Sequence, residues 1–131
     1  MTATLGPLIR VDDGATVVDT LELADSFWSR FRGLQLRPPL PEGHGILLVP
    51  CASIHTFWMR FPIDVAFLGD GGAVLQVERA VSPWRVLKPR LKGVRAVLEV
   101  RAGEMLLRTG ERIQLLCNER LPASLCWLDR H

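Results

Sequence analysis

The run DVAFLGDGGAVLQVERAV, residues 64–81, decides the fold. Two apolar, β-prone stretches flank Gly69-Asp70-Gly71-Gly72. Glycine supplies the positive φ that a tight reversal needs, and aspartate bonds its own backbone there, so the run reads as a hairpin. Val74, Leu75 and Val77 belong to its second arm. The glycines are no phosphate loop: no Lys-Ser/Thr follows them, and they join two strands where such a loop would enter a helix.

Toward the C-terminus, RAVLEV (95–100) reads as another strand, with Ala96, Leu98 and Val100 on one face. Strict alternation then turns Glu99 outward, onto a solvated face. RAGEMLLRTG reads as a short helical turn near residues 103–109, and RIQLLC (112–117) as the strand that closes the sheet. Toward the N-terminus, ILLVP (46–50) is a short apolar strand, preceded by the loop RPPLPEGHG. Ala24, Phe27, Trp28 and Phe31 recur at helical spacing and mark the core face of a short helix, with Gly33 at its C-terminal boundary. Residues 7–10 and 15–21 form two short strands around Asp12-Asp13-Gly14. Many short strands with little helix predict a mainly β fold: one sandwich- or barrel-like domain over residues 1–131, its strands mostly antiparallel.

At 131 residues, 48% of them hydrophobic, the chain has enough apolar material for a core without disulfides or metal. No basic-then-apolar opening suggests a signal peptide, and no apolar run is long enough to span a bilayer. The three cysteines, Cys51, Cys117 and Cys126, form no CxxC pair. These features predict a cytoplasmic protein with no membrane partner and no metal or other cofactor. The net charge of +2 is unevenly spread. Residues 79–95 hold six bases and no acid, leaving ten bases against fourteen acids elsewhere.

Three segments occur in order: SRFRGLQLR (29–37), GHGILLVPCASIHTFWMRFPIDVAFLGDGGAVL (43–75) and VLEVRAGE (97–104). In this the chain resembles the DUF192 family of small, mostly prokaryotic proteins, over roughly residues 20–117. IHTFWMRFPIDVAFL is the specific part. The resemblance implies a compact β-sandwich-like domain with a short N-terminal helix, and implies no reaction. Many relatives carry an acidic residue where Gly69 stands here.

The chemistry concentrates in CASIHTFWMRFPID, residues 51–64. Cys51 and His55 are the only pair suited to nucleophilic catalysis, with Asp64 to orient the imidazole. In a strand their Cα atoms lie ~13 Å apart, too far to share a proton or a metal, and no oxyanion-hole motif accompanies them. An extended HTFWMR puts His55, Phe57 and Met59 on one face and Thr56, Trp58 and Arg60 on the other. That arrangement suits a pocket walled by His55, Trp58, Met59 and Arg60 with Asp64 behind, holding a small polar or anionic ligand. A second surface, Trp84, Arg85, Lys88, Arg90 and Lys92, suits an acidic partner; nucleic acid is the weaker fit, because no RNP, KH or helix-turn-helix signature is present. A binding module is therefore expected before an enzyme, and the oligomeric state stays open.

Overall fold

The structure, a computed structural model, describes residues 3–26, 30, 37–116 and 120–129. Among the described residues eleven strands follow in chain order: β1 (Ala3–Leu5), β2 (Leu8–Arg10), β3 (Thr16–Val18), β4 (Thr20–Ala24), β5 (His44–Leu48), β6 (Ile54–His55), β7 (Ile63–Gly69), β8 (Ala73–Val81), β9 (Val86–Leu87), β10 (Ala96–Arg101) and β11 (Ile113–Leu115). They build a six-stranded sheet, β1-β4-β5-β10-β7-β8, a three-stranded sheet, β11-β2-β3, and a two-stranded ribbon, β6-β9. In the large sheet β4 and β5 are parallel and the other neighbours antiparallel. A parallel pair needs a long crossover, which residues 25–43 supply. The fold is thus mainly β, with mixed, open sheets.

The hairpin at 64–81 forms as the sequence predicts. β7 and β8 pair antiparallel, and Asp70–Gly72 makes a single 3-10 turn at the tip. Gly72 has φ +77°, and a Cβ there would collide with the carbonyl oxygen of Ile113 on β11. Both the turn and the closeness of β11 therefore demand glycine at this position.

The sheet order explains the burial. One face of the large sheet packs Leu21, Leu23, Ala66, Leu68 and Leu98 against the three-stranded sheet and a C-terminal 3-10 turn, Ala123–Asp129. The opposite face presents Ile46, Leu48, Val65, Phe67 and Val97 to Leu40, Ile54, Met59 and Phe61. β7 is buried at every position, as a strand covered on both faces must be.

This corrects three expectations. Glu99 does not face solvent: β10 lies between β5 and β7, and Glu99 is only 4% exposed. It sits across from Ile46 and Val65, on the face that the 54–61 segment covers. Residues 102–109 form turns and irregular backbone in place of a helical turn, because their amides serve other partners, described below. Finally, β11 pairs with β2 in the small sheet and does not extend the large one. Of the predicted helix over 24–33, Ala24 instead ends strand β4, and residues 27–29 and 31–33, Phe27, Trp28, Phe31 and Gly33 included, lie outside the described residues. Arg30 is helical, its amide donating to the carbonyl of Ser26.

Candidate binding surface

HTFWMR is not an extended strand. β6 ends at His55, and Thr56–Met59 closes a turn in which the Met59 amide donates to the Thr56 carbonyl at 3.3 Å. Trp58 takes φ +65°, so the alternation of faces breaks. Thr56 and Met59 point inward, Phe57 and His55 are half-buried, and Trp58 and Arg60 stand out in solvent.

A second turn faces the first. β9 pairs with β6, His55 opposite Val86, which sets Trp84 beside the 56–59 turn. Trp84 also has a positive φ, +66°. The buried Thr56 fastens the two turns. Its amide donates to the Arg85 carbonyl (2.8 Å) and its hydroxyl donates to the Ser82 carbonyl (2.7 Å). The hydroxyl oxygen accepts from the Arg85 amide (2.8 Å), and the Thr56 carbonyl accepts from the Trp84 amide (3.0 Å). A bulky residue at positive φ is a conformational outlier costing on the order of 1–3 kcal/mol, and such residues gather at functional positions. Here two tryptophans adopt it side by side.

The result is a ladder of rings on the surface. His55 lies 4.9 Å from Phe57, Phe57 stacks on Trp84 at 5.5 Å, and Trp84 meets Trp58 edge-on at 4.9 Å. Trp58 is 57% exposed and Trp84 56%, and Val86 beside them is 62% exposed. Arg60, Arg85, Lys88, Arg90 and Lys92 are exposed, and none makes a side-chain hydrogen bond or ion pair with another described residue. The other arginines of the basic segment are committed. Arg79 donates to the carbonyls of Met105 and Leu107, and Arg95 pairs with Asp70. No acid occurs in residues 51–63 or 79–95, so the surface that these segments build is uniformly basic.

The two sites that the sequence separates, 55–64 and 84–92, are therefore brought together by β6 and β9. The legible signal was the hairpin itself: extended past Ile63 and Val81, which pair, its two arms carry the chain to β6 on one side and β9 on the other. Of the five pocket residues, Trp58 and Arg60 reach the open surface and His55 forms the inner end of the ladder. Its Nδ1 accepts from the Phe57 amide at 3.3 Å. Met59 is core. Asp64, 2% exposed, lies elsewhere, accepting from the amides of Ala80 (2.8 Å), Gly103 (3.0 Å) and Met105 (3.2 Å). It neither orients His55 nor meets Arg60.

Cys51 and His55 share no hydrogen bond in the described structure. The Cys51 thiol donates to the Ser53 carbonyl at 3.0 Å. Burial, the largest influence, outweighs the Ser53 hydrogen bond and, with a lesser push from the Glu99 carboxyl, lifts the thiol above its ordinary range, away from the thiolate that a nucleophile needs. Burial also raises Glu99 to about 8, so near neutral pH it is largely a neutral acid. A cleft of about 490 Å³ lies between the 10–13 turn and residues 105–111. Its Arg10 is spent on Asp13 and the Leu106 carbonyl and Arg79 on the carbonyls named above; Arg108 also lines it, together with the carboxylates of Asp12, Asp13 and Glu111.

The comparisons with known proteins agree on kinship. The DUF192 family model, described as an uncharacterized ACR, matches residues 9–115. A UPF0127 protein of Thermococcus sibiricus is 35% identical over 101 residues, 73% of this chain and 64% of its own length, so the match spans less than two thirds of that relative. A UPF0127 protein of Pyrococcus abyssi is 31% identical over 115 residues, 76% of this chain and 95% of its own. Among solved structures, a Sinorhizobium meliloti protein described as a "putative transcription regulator" superposes with TM-score 0.73 at 24% identity, over 87% of this chain and 95% of that one. A Novosphingobium aromaticivorans protein of unknown function gives 0.70 at 21% identity, over 84% of each chain. At these identities the structural likenesses speak for the fold alone. The fold and the sequence matches together place the chain in the DUF192 family.

Proposed function

We propose that this chain is a binding module whose ligand is an anion with a flat apolar face. One observation carries the reading: two exposed tryptophans, held at positive φ by a buried threonine, stand among cations that serve no partner in the described fold. A folded protein gains little from exposed rings in costly conformations, whereas a ligand gains a stacking platform from them. Arg60 and Arg85 present forked donors suited to a carboxylate or phosphate next to such a platform. Catalysis is not part of the proposal, since the Cys51 thiol is turned into a backbone hydrogen bond and biased toward its protonated form.

Phenyl phosphate tests this directly, with inorganic phosphate as the control. The ring and the charge together should quench tryptophan fluorescence saturably, and Trp58→Ala or Arg85→Ala should abolish the response. Equal responses to both compounds, or a response that both variants retain, would contradict the reading. The cytoplasm is our assignment for its location, because Cys51 forms no disulfide. Fractionation that recovers the protein outside the cytoplasm would refute that assignment.

A further inference from the structure

We infer that the ligand of this surface is single-stranded nucleic acid, with bases stacked on the tryptophan end of the ladder and phosphates on the flanking cations. The inference rests on the anion-binding reading above and narrows it. Five cations, Arg60, Arg85, Lys88, Arg90 and Lys92, are more than one phosphate can use. Four of them run along residues 85–92, and an extended chain covers up to ~3.5 Å per residue. Arg85 precedes strand β9, and Lys88, Arg90 and Lys92 follow it at every second residue, so the charge is spread along the segment after Trp84, which suits a polyanion better than a compact one.

The rings select within the polyanions. Tryptophan faces hold unpaired bases with little regard to sequence, and cations beside them hold the backbone. A duplex hides its base faces, so the ladder has nothing to offer it except charge. A second copy of this chain is a poor occupant, since both partners would bring the same unbroken run of cations to the contact.

The test uses the full chain and a fluorescein-labelled dodecamer of deoxythymidylate, read by anisotropy between 50 and 300 mM salt. For a single strand, log K falls against log salt by roughly 0.7 for each phosphate neutralised, so the slope should lie at roughly −2 to −3.5. Lys88→Ala should flatten it by roughly 0.7, and Trp58→Ala and Trp84→Ala should each weaken binding roughly tenfold or more without changing the slope. Trp58→Gly guards against a folding artefact. It relieves the positive φ, so it should leave Tm unchanged or higher while still losing affinity.

The nucleic-acid assignment is overturned if polyphosphate of equal charge binds as tightly as the dodecamer, or if the tryptophan variants bind normally. Binding to phosphatidylglycerol vesicles, or to a poly-glutamate peptide, with no binding to the dodecamer also overturns it. In those cases phenyl phosphate should still bind, and the anion-binding reading stands. If phenyl phosphate also fails, both fall together.

Discussion

The hairpin β7–β8 has a committed region and an uncommitted one. Along its arms and at its tip nearly every polar group is spent. Asp64 holds three amides, Arg79 caps two carbonyls, Arg95 pairs with Asp70, and Gly72 lets β11 close in. Past its open end, the turns at 56–59 and 83–84 expose two strained tryptophans among cations that pair with nothing described. The difference teaches how to separate structure from function in a chain of this size. Groups that the fold needs are bonded, whether buried as Asp64 is or exposed as the Arg95–Asp70 pair is, whereas groups kept for a ligand are exposed, costly and idle.

Substitutions can break this contrast, and the largest effect belongs to Asp64. Asp64→Ala strands three amides, at ~1–3 kcal/mol each, so stability should fall by about 4 kcal/mol or more in urea denaturation. A loss below about 1 kcal/mol would mean that Asp64 is not the anchor described.

Glu99 should behave in the opposite sense. Its folded pKa of about 8 lies above its ordinary value of 4.5, so the folded state keeps a proton that the unfolded state has lost. Its contribution is therefore fully present below about pH 4.5, drains away as pH rises toward about 8, and then levels off. Glu99→Met should flatten the stability profile over that window and raise stability at pH 8 by roughly 3–5 kcal/mol. An unchanged profile would show that the carboxyl ionises freely in the fold.

Smaller still, Thr56→Val leaves the Ser82 carbonyl and Arg85 amide without the hydroxyl, and should cost about 2 kcal/mol. It should also weaken phenyl phosphate binding, because the two tryptophan turns lose their fastening. If binding survives intact, the ladder does not depend on that hydroxyl. At the low end, Arg85→Ala and Lys88→Ala should change stability by less than about 0.5 kcal/mol, because neither side chain has a partner to lose.

Much of this was readable in the sequence, for identifiable reasons. The hairpin followed from two β-prone runs flanking Gly69-Asp70-Gly71-Gly72, and the family from a block whose residues are too specific to recur by chance. What failed had a common cause. Alternation along RAVLEV gives one face to solvent only if nothing covers it, and sequence spacing does not report that the 54–61 segment folds over Glu99's side of the sheet. Likewise HTFWMR has every strand former needed for an extended run. The turn that breaks it depends on Thr56 finding Ser82 and Arg85, some thirty residues away. Asp64 looked like part of a pocket because it follows the aromatic run. Its partners at 80, 103 and 105 become visible only when β8 and the 102–105 segment are in place.

The central claim is that the ring ladder and its idle cations form the binding site, while the buried polar groups serve the fold. An amide and indole NMR titration of the full chain with phenyl phosphate tests it most directly. Shifts should concentrate at residues 55–60 and 84–92 and in the indole N–H signals of Trp58 and Trp84. Shifts centred on Cys51, or on the cleft of Arg10 and Arg79, with the ladder silent, would contradict the account.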